Sequence, residues 1–270
     1  MILDYTEFTD LLNEKFSVGL DLIVEVLNKV IKDPNRFTGI YRISNAKTKL
    51  IQNITQSHEI KFGDFMEELI TIYLSKIGYK NLPKRLGVNK NNESLNADQL
   101  FEDKYGALYL VEQKIRDDHD STKKRGQIQN FEKKVNLLKS RYPNKEIIAV
   151  MWFIDDGLKK NKIYYIDEAK KIKYANTSVS ILYGDEFFET IIKKIEPWNE
   201  IKEYLKMNKL SRADEILTLP DFGNDQIVLD ALNSLSKNLI GKLLSTKPEF
   251  VQLRNELFSS GNNLDKIKRK

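Results

Sequence analysis

Apolar residues fall at helical spacing early in the chain. Leu20, Leu22, Ile23, Val26, Leu27, Val30 and Ile31 form one series, and Asp33-Pro34-Asn35 stops it. Phe62, Phe65, Met66, Leu69, Ile72 and Tyr73 form a second, which predicts a helix over about Lys61 to Lys76, closed by Gly78-Tyr79. The stretch Asn89 to Ser94 is polar throughout and reads as a loop. Beyond it the period changes. Leu95 to Phe101 and Ala107 to Ile115 are expected to be two strands, joined by the turn Glu102 to Gly106. A helix is expected over Gly126 to Arg141, a break at Tyr142-Pro143-Asn144, then a buried strand over the apolar run from Glu146 to Ile154. Shorter strands are expected at Lys162 to Ile166 and Ser178 to Tyr183. From Trp198 onward the pattern is helical, punctuated by Leu219-Pro220-Asp221-Phe222-Gly223 and Lys247-Pro248. Helix, strand, strand, helix, strand with helical flanks describes an α/β core with added helices. The expected organisation is a helical N-terminal region (1–60), a core (61–195) and a helical C-terminal region (196–270).

Composition narrows the chemistry. The chain has 270 residues, of which 41% are hydrophobic and 31% charged, as in a folded rather than a disordered chain. There is no cysteine, which removes disulfides, thiolate metal sites and cysteine nucleophiles. His58 and His119 are the only histidines, so a three-histidine metal site is excluded and any divalent ion must rest mainly on carboxylates, which suits magnesium or manganese. The formal charge of +5 mildly favours a polyanionic partner. The N-terminus lacks a basic segment followed by an apolar one, and the longest apolar run, Ile147 to Ile154, is too short to span a bilayer. No signal peptide or membrane partner is expected, and a cytoplasmic location is.

The chemistry-bearing segment runs Asn96-Ala97-Asp98-Gln99-Leu100-Phe101, a turn, then Leu108-Tyr109-Leu110-Val111-Glu112-Gln113-Lys114. On a strand, residues two apart share a face, so Glu112 and Lys114 project together with Leu108 and Leu110. A short turn lets the preceding strand set Asp98 beside Glu112. Two close carboxylates raise each other's pKa unless a cation neutralises them, and a nearby amine can steady charge on a phosphate. A strand ending in Glu-x-Lys is common by itself. Asp98 at hairpin distance, the apolar lead-in and the upstream Gly63-x-x-x-Glu67 set this one apart.

Over about Lys61 to Ile154 this arrangement resembles the PD-(D/E)XK nuclease superfamily, with Ala97 in place of the proline before the aspartate. The resemblance implies a restriction-endonuclease-like core, a mixed β-sheet flanked by helices. It implies that Asp98 and Glu112 ligate Mg²⁺ and that Lys114 assists the attacking water. It also implies that Glu67 supports the metal site, with Glu68 as its competitor. Gln127 and Phe131 give Gln-x-x-x-Phe, similar to the Gln-x-x-x-Tyr extension of some branches. The stretch from Lys114 through Arg116, His119, Ser121, Thr122, Lys123, Lys124 and Arg125 to Gln127 is similar to segments of type II restriction endonucleases. It reads as a surface loop leading into a helix, with these side chains as candidate DNA contacts. His119 is expected in that loop, His58 as a cap or surface residue just before the helix at Lys61, Trp152 in the core, and Trp198 as a packing anchor.

The segments Ser211 to Leu219 and Asp225 to Leu232 could form a helix-turn-helix reader, or a cover for the sheet or a dimer contact. The basic tail from Lys266 to Lys270 either adds nonspecific phosphate affinity or is simply disordered. The resemblance implies a type II restriction endonuclease acting on double-stranded DNA, homodimeric if its site is palindromic, with Mg²⁺ and no nucleotide cofactor. The alternatives are a junction-resolvase-like repair nuclease and a non-catalytic DNA-binding module of the same fold.

Overall fold

The structure, a computed structural model, describes residues 1–16, 19–88, 92, 94–217 and 219–268, the side chains of 212–217 excepted. Asn89, Lys90, Asn91 and Glu93 of the polar stretch, Arg269 and Lys270 of the basic tail, and the side chains of 212–217 in the proposed reader lie outside that description. The chain forms two compact units, one of Met1–Phe8 and Gly63–Leu205, the other of Thr9–Phe62 and Lys206–Lys270.

The first unit is built on a five-stranded mixed sheet. Its strands are β1 (Lys80–Asn81), β4 (Gln99–Glu102), β5 (Leu108–Lys114), β6 (Ile147–Phe153) and β7 (Thr177–Tyr183), side by side in that order. β1, β4 and β5 pair antiparallel, while β5, β6 and β7 pair parallel. β6 lies inside the sheet between β5 and β7, and its apolar run is buried on both faces, as a parallel strand demands. A separate hairpin joins β2 (Arg85–Val88) to β3 (Ser94–Asn96).

Two sequence expectations change here. The run Leu95 to Phe101 is two strands in different sheets, β3 and β4, and the break between them puts Asp98 at a bend. Lys162 to Ile166 is helical: α5 (Lys162–Ala169) buries Tyr165 and Ala169, one turn apart, and leaves Ile163 in solvent. The reason is topological. β6 and β7 are parallel neighbours, so their connection must cross over, and a helix is the usual means.

α4 (Ser121–Arg141) and α5 cover one face of the sheet, where Phe131, Val135 and Tyr165 pack with Leu108, Leu110, Met151 and Phe153. On the other face, the Gln99 side chain donates to the Glu67 carbonyl (2.7 Å) and accepts from the Thr71 hydroxyl (2.7 Å), fixing α3 (Ala46–Lys76) to β4. Helix α3 starts well before the expected Lys61. His58 therefore lies inside it, half-buried against the Phe16 ring, rather than capping it. Trp152 is fully buried, stacked on Phe187 and edge-on to Trp198, as expected of a core residue and its anchor.

The second unit is helical. α2 (Gly19–Lys32) buries Leu22, Ile23, Val26, Leu27, Val30 and Ile31, the series legible in the sequence. They pack with Leu50, Phe222, Val228, Leu232, Leu243 and Leu253, so N- and C-terminal segments share one core. α7 (Gln226–Ser234) is part of that core through Val228, Ala231 and Leu232. The turn before it needs its glycine: a Cβ on Gly223 would lie 1.6 Å from the Ser260 carbonyl oxygen.

Candidate active site

Antiparallel register pairs Gln99 with Val111. Asp98, one step earlier, therefore comes level with Glu112, and its Oδ2 accepts the Gln113 backbone N–H at 2.7 Å. Strand alternation turns Leu108, Leu110, Glu112 and Lys114 to one face. The leucines enter the core and Glu112 ends nearly buried at the edge of that core. Lys114 closes the group, its Nζ 2.7 Å from Glu112 Oε1 and 3.3 Å from Asp98 Oδ2. The three residues singled out in the sequence are thus in direct contact.

A fourth member was not anticipated. Helix α4 delivers Lys134, buried, with its Nζ bonded to Glu112 Oε2 and 3.9 Å from Asp98 Oδ1. The sequence does hold a signal: Lys134 lies three residues after Phe131 and four before Leu138, on the apolar face of the helix. A lysine there must reach a buried anion or stay unpaired.

Electrostatics follow from this crowding. Burial raises the Asp98 pKa, and the Glu112 charge adds to it, while Lys114, Lys134 and the Gln113 N–H pull the other way. For Lys114, burial acts to lower the pKa, but Glu112 and Asp98 outweigh it and hold the ammonium above its ordinary value. That favours the charged form of Lys114. Glu67 lies 3.6 Å from Lys84. Its carboxyl is pushed up to about 7 by burial first and by the Asp98 charge second, so it belongs to the same electrostatic cluster.

That shift has a measurable sign. A carboxyl whose folded pKa exceeds its ordinary 4.5 contributes stability that is full below about 4.5 and lost as pH rises to about 7. In EDTA, the melting temperature of Glu67→Gln is expected to decline less over that window than that of the unaltered protein. Parallel melting curves would remove Glu67 from the cluster.

The donor set consists of carboxylate oxygens, the chemistry that hard divalent cations take. Magnesium typically uses one or two carboxylates together with waters and substrate phosphate. Asp98 and Glu112 fit that pattern. Among the described residues no group of three or more His, Asp or Glu could enclose a metal by itself.

The candidate DNA contacts fall elsewhere. The expected loop stops at Asp120, whose carboxylate caps α4 by accepting from the Thr122 and Lys123 N–H groups. Ser121, Thr122, Lys123, Lys124 and Arg125 therefore lie on the first turns of a helix, not in a loop, and Gln127 lies on that helix as expected. Thr122, Lys123 and Arg125 are exposed. Lys124 bonds Asn161 (3.1 Å) and sits over the Tyr164 ring, and Gln127 accepts from the Tyr165 hydroxyl (2.5 Å). Arg116 and His119 are half-buried in the short loop before it, with Arg116 Nε 3.9 Å and His119 Nδ1 3.7 Å from Asp118. That loop is pinned by Asp117, fully buried, which accepts from the Asn161 backbone and side chain and from the Tyr183 hydroxyl.

Comparison with known proteins matches this frame. The family model described as "Type II restriction endonuclease, HinfI" matches residues 5–89 and 80–209. The type II restriction enzyme HinfI of Haemophilus influenzae is 27% identical over 176 residues, an alignment spanning 57% of this chain and 66% of that protein.

Proposed function

This chain belongs to the HinfI family of type II restriction endonucleases, and from there we propose that it hydrolyses phosphodiester bonds of double-stranded DNA at a short specific sequence, with Mg²⁺ as cofactor. One observation carries the reading: Asp98, Glu112 and Lys114 converge, two carboxylates with raised mutual repulsion and a charged amine between them.

Asp98 and Glu112 would hold the cation. When bound, it supplies positive charge to the phosphate and acidifies water. The protein's own contribution is positioning. The Gln113 N–H and the α4 side of the core fix the two carboxylates. Lys114 presents a protonated donor beside them, suited to orient a water or to steady a developing phosphate charge. Glu67, whose backbone carbonyl is held by Gln99, adds a further carboxyl that feels the Asp98 charge. Homodimers are expected if the recognised sequence is palindromic, because protein symmetry then matches DNA symmetry.

Charge distribution favours a role for the helical unit as well. That unit has 19 Lys and Arg against 14 Asp and Glu, whereas the sheet-containing unit has 25 against 25, so the helical unit carries the whole +5 excess. Backbone contacts to DNA are therefore expected from both the α4 N-terminus and the helical unit. Lys123→Ala and Arg125→Ala are each expected to lower the slope of log affinity against log salt by about 1, read by fluorescence anisotropy on duplex DNA in EDTA. An unchanged slope would remove that residue from the interface.

The activity test is incubation of the protein with phage DNA and Mg²⁺. Discrete fragments that vanish in EDTA and in Asp98→Ala and Lys114→Ala are expected. Cutting confined to branched DNA would point to a resolvase. Binding without cutting would sink the nuclease reading.

A further inference from the structure

The two lysines at the acidic pair divide its oxygens between them. Lys114 Nζ faces Glu112 Oε1 and Asp98 Oδ2, while Lys134 Nζ faces Glu112 Oε2 and Asp98 Oδ1. Every carboxylate oxygen of the pair is therefore covered by an ammonium, and the two charges of each sign cancel. A divalent cation bridging Asp98 and Glu112 needs one oxygen from each. It would also set two positive charges against two ammoniums already in place, and like charges at such distances repel strongly in a buried site. One ammonium has to yield. Lys114 is on the strand of Glu112 and belongs to the Glu-x-Lys motif. Lys134 comes from the opposite side, from α4, on a flexible four-carbon stem.

We propose that Lys134 is a built-in counter-cation that holds Asp98 and Glu112 together in the metal-free protein and competes with the divalent ion for their oxygens. It thereby acts as a positioning residue that sets metal affinity. The inference rests on the metal-dependent reading above. Its physical basis is that buried carboxylates without a cation are costly, so the fold carries a substitute until the ion arrives. A cation held by Asp98 and Glu112 would take the oxygens that the Lys134 ammonium now occupies.

The test compares the unaltered protein with Lys134→Met and Lys134→Arg, measuring Mn²⁺ binding by titration calorimetry and melting temperature in EDTA. Lys134→Met is expected to bind Mn²⁺ at least about tenfold more tightly, a coupling of ordinary size for two sites that share ligands. It should also melt lower in EDTA and gain more from Mn²⁺. Lys134→Arg, which keeps the charge, should bind the ion like the unaltered protein. Equal or weaker Mn²⁺ binding by Lys134→Met would overturn the competition. Should Lys134→Met not fold in EDTA, the double variant Glu112→Gln/Lys134→Met decides: recovery of a cooperative melt supports the counter-ion role, and no recovery overturns it. Loss of Mn²⁺ binding in Asp98→Ala controls for the site. An unaltered protein that binds no Mn²⁺ at all would instead remove the metal-dependent reading itself.

Discussion

Glu112→Gln is expected to lower the single-turnover rate of DNA cleavage by on the order of 10³-fold, equivalent to about 4 kcal/mol of transition-state stabilisation. Glutamine keeps the shape of the side chain and one carbonyl oxygen, so the packing of β5 against α4 should survive. What it loses is the charge that both Lys114 and Lys134 face and one of the two oxygens that a divalent ion would compete for. Circular dichroism of the variant in Mg²⁺ separates a chemical loss from an unfolding one. A folded variant that keeps more than about a tenth of the rate would exclude Glu112 from the catalytic group.

The second large effect concerns stability. Asp117 sits three residues beyond Lys114, and its buried carboxylate is the common acceptor for the Asn161 N–H, the Asn161 amide and the Tyr183 hydroxyl. Asp117→Ala removes the acceptor of three buried hydrogen bonds, at a cost of about 3–5 kcal/mol. In a unit of this size that lowers the melting temperature by on the order of 10 °C. Asp117→Asn keeps one acceptor oxygen and should lose less. The same network anchors the loop between β5 and α4 to the start of α5 and the end of β7, so DNA affinity should fall with stability. Melting within about 2 °C of the unaltered protein would show that the network is dispensable.

The elements with a clear local period were legible before the structure. The series in α2 and the apolar run of β6 appear where the pattern put them, because each buries a face whose period is set by its own backbone geometry. α5 was not, because Lys-Ile-Tyr-Tyr-Ile has no period and the need for a crossover between two parallel strands decides it. The start of α4 was set back from Gly126 to Ser121 by the Asp120 cap, a signal present in the sequence but hidden in a run of polar residues. The α3 helix extends back to Ala46, where Leu50 and Ile54 find their partners in the helical unit.

By itself the sequence determined that Glu112 and Lys114 share a face, since side-chain alternation along a strand is a property of the chain alone. It also determined, by lacking cysteine and holding only two histidines, that any divalent metal must rest mainly on carboxylates. Only the tertiary structure decided that Asp98 lies at a bend level with Glu112, because that depends on the register of β4 against β5. And only the packing of α4 on the sheet revealed Lys134. Its place on the apolar face of α4 marks it as buried, but which anion it meets, 22 residues away, is settled only once both surfaces around the ion pair are closed.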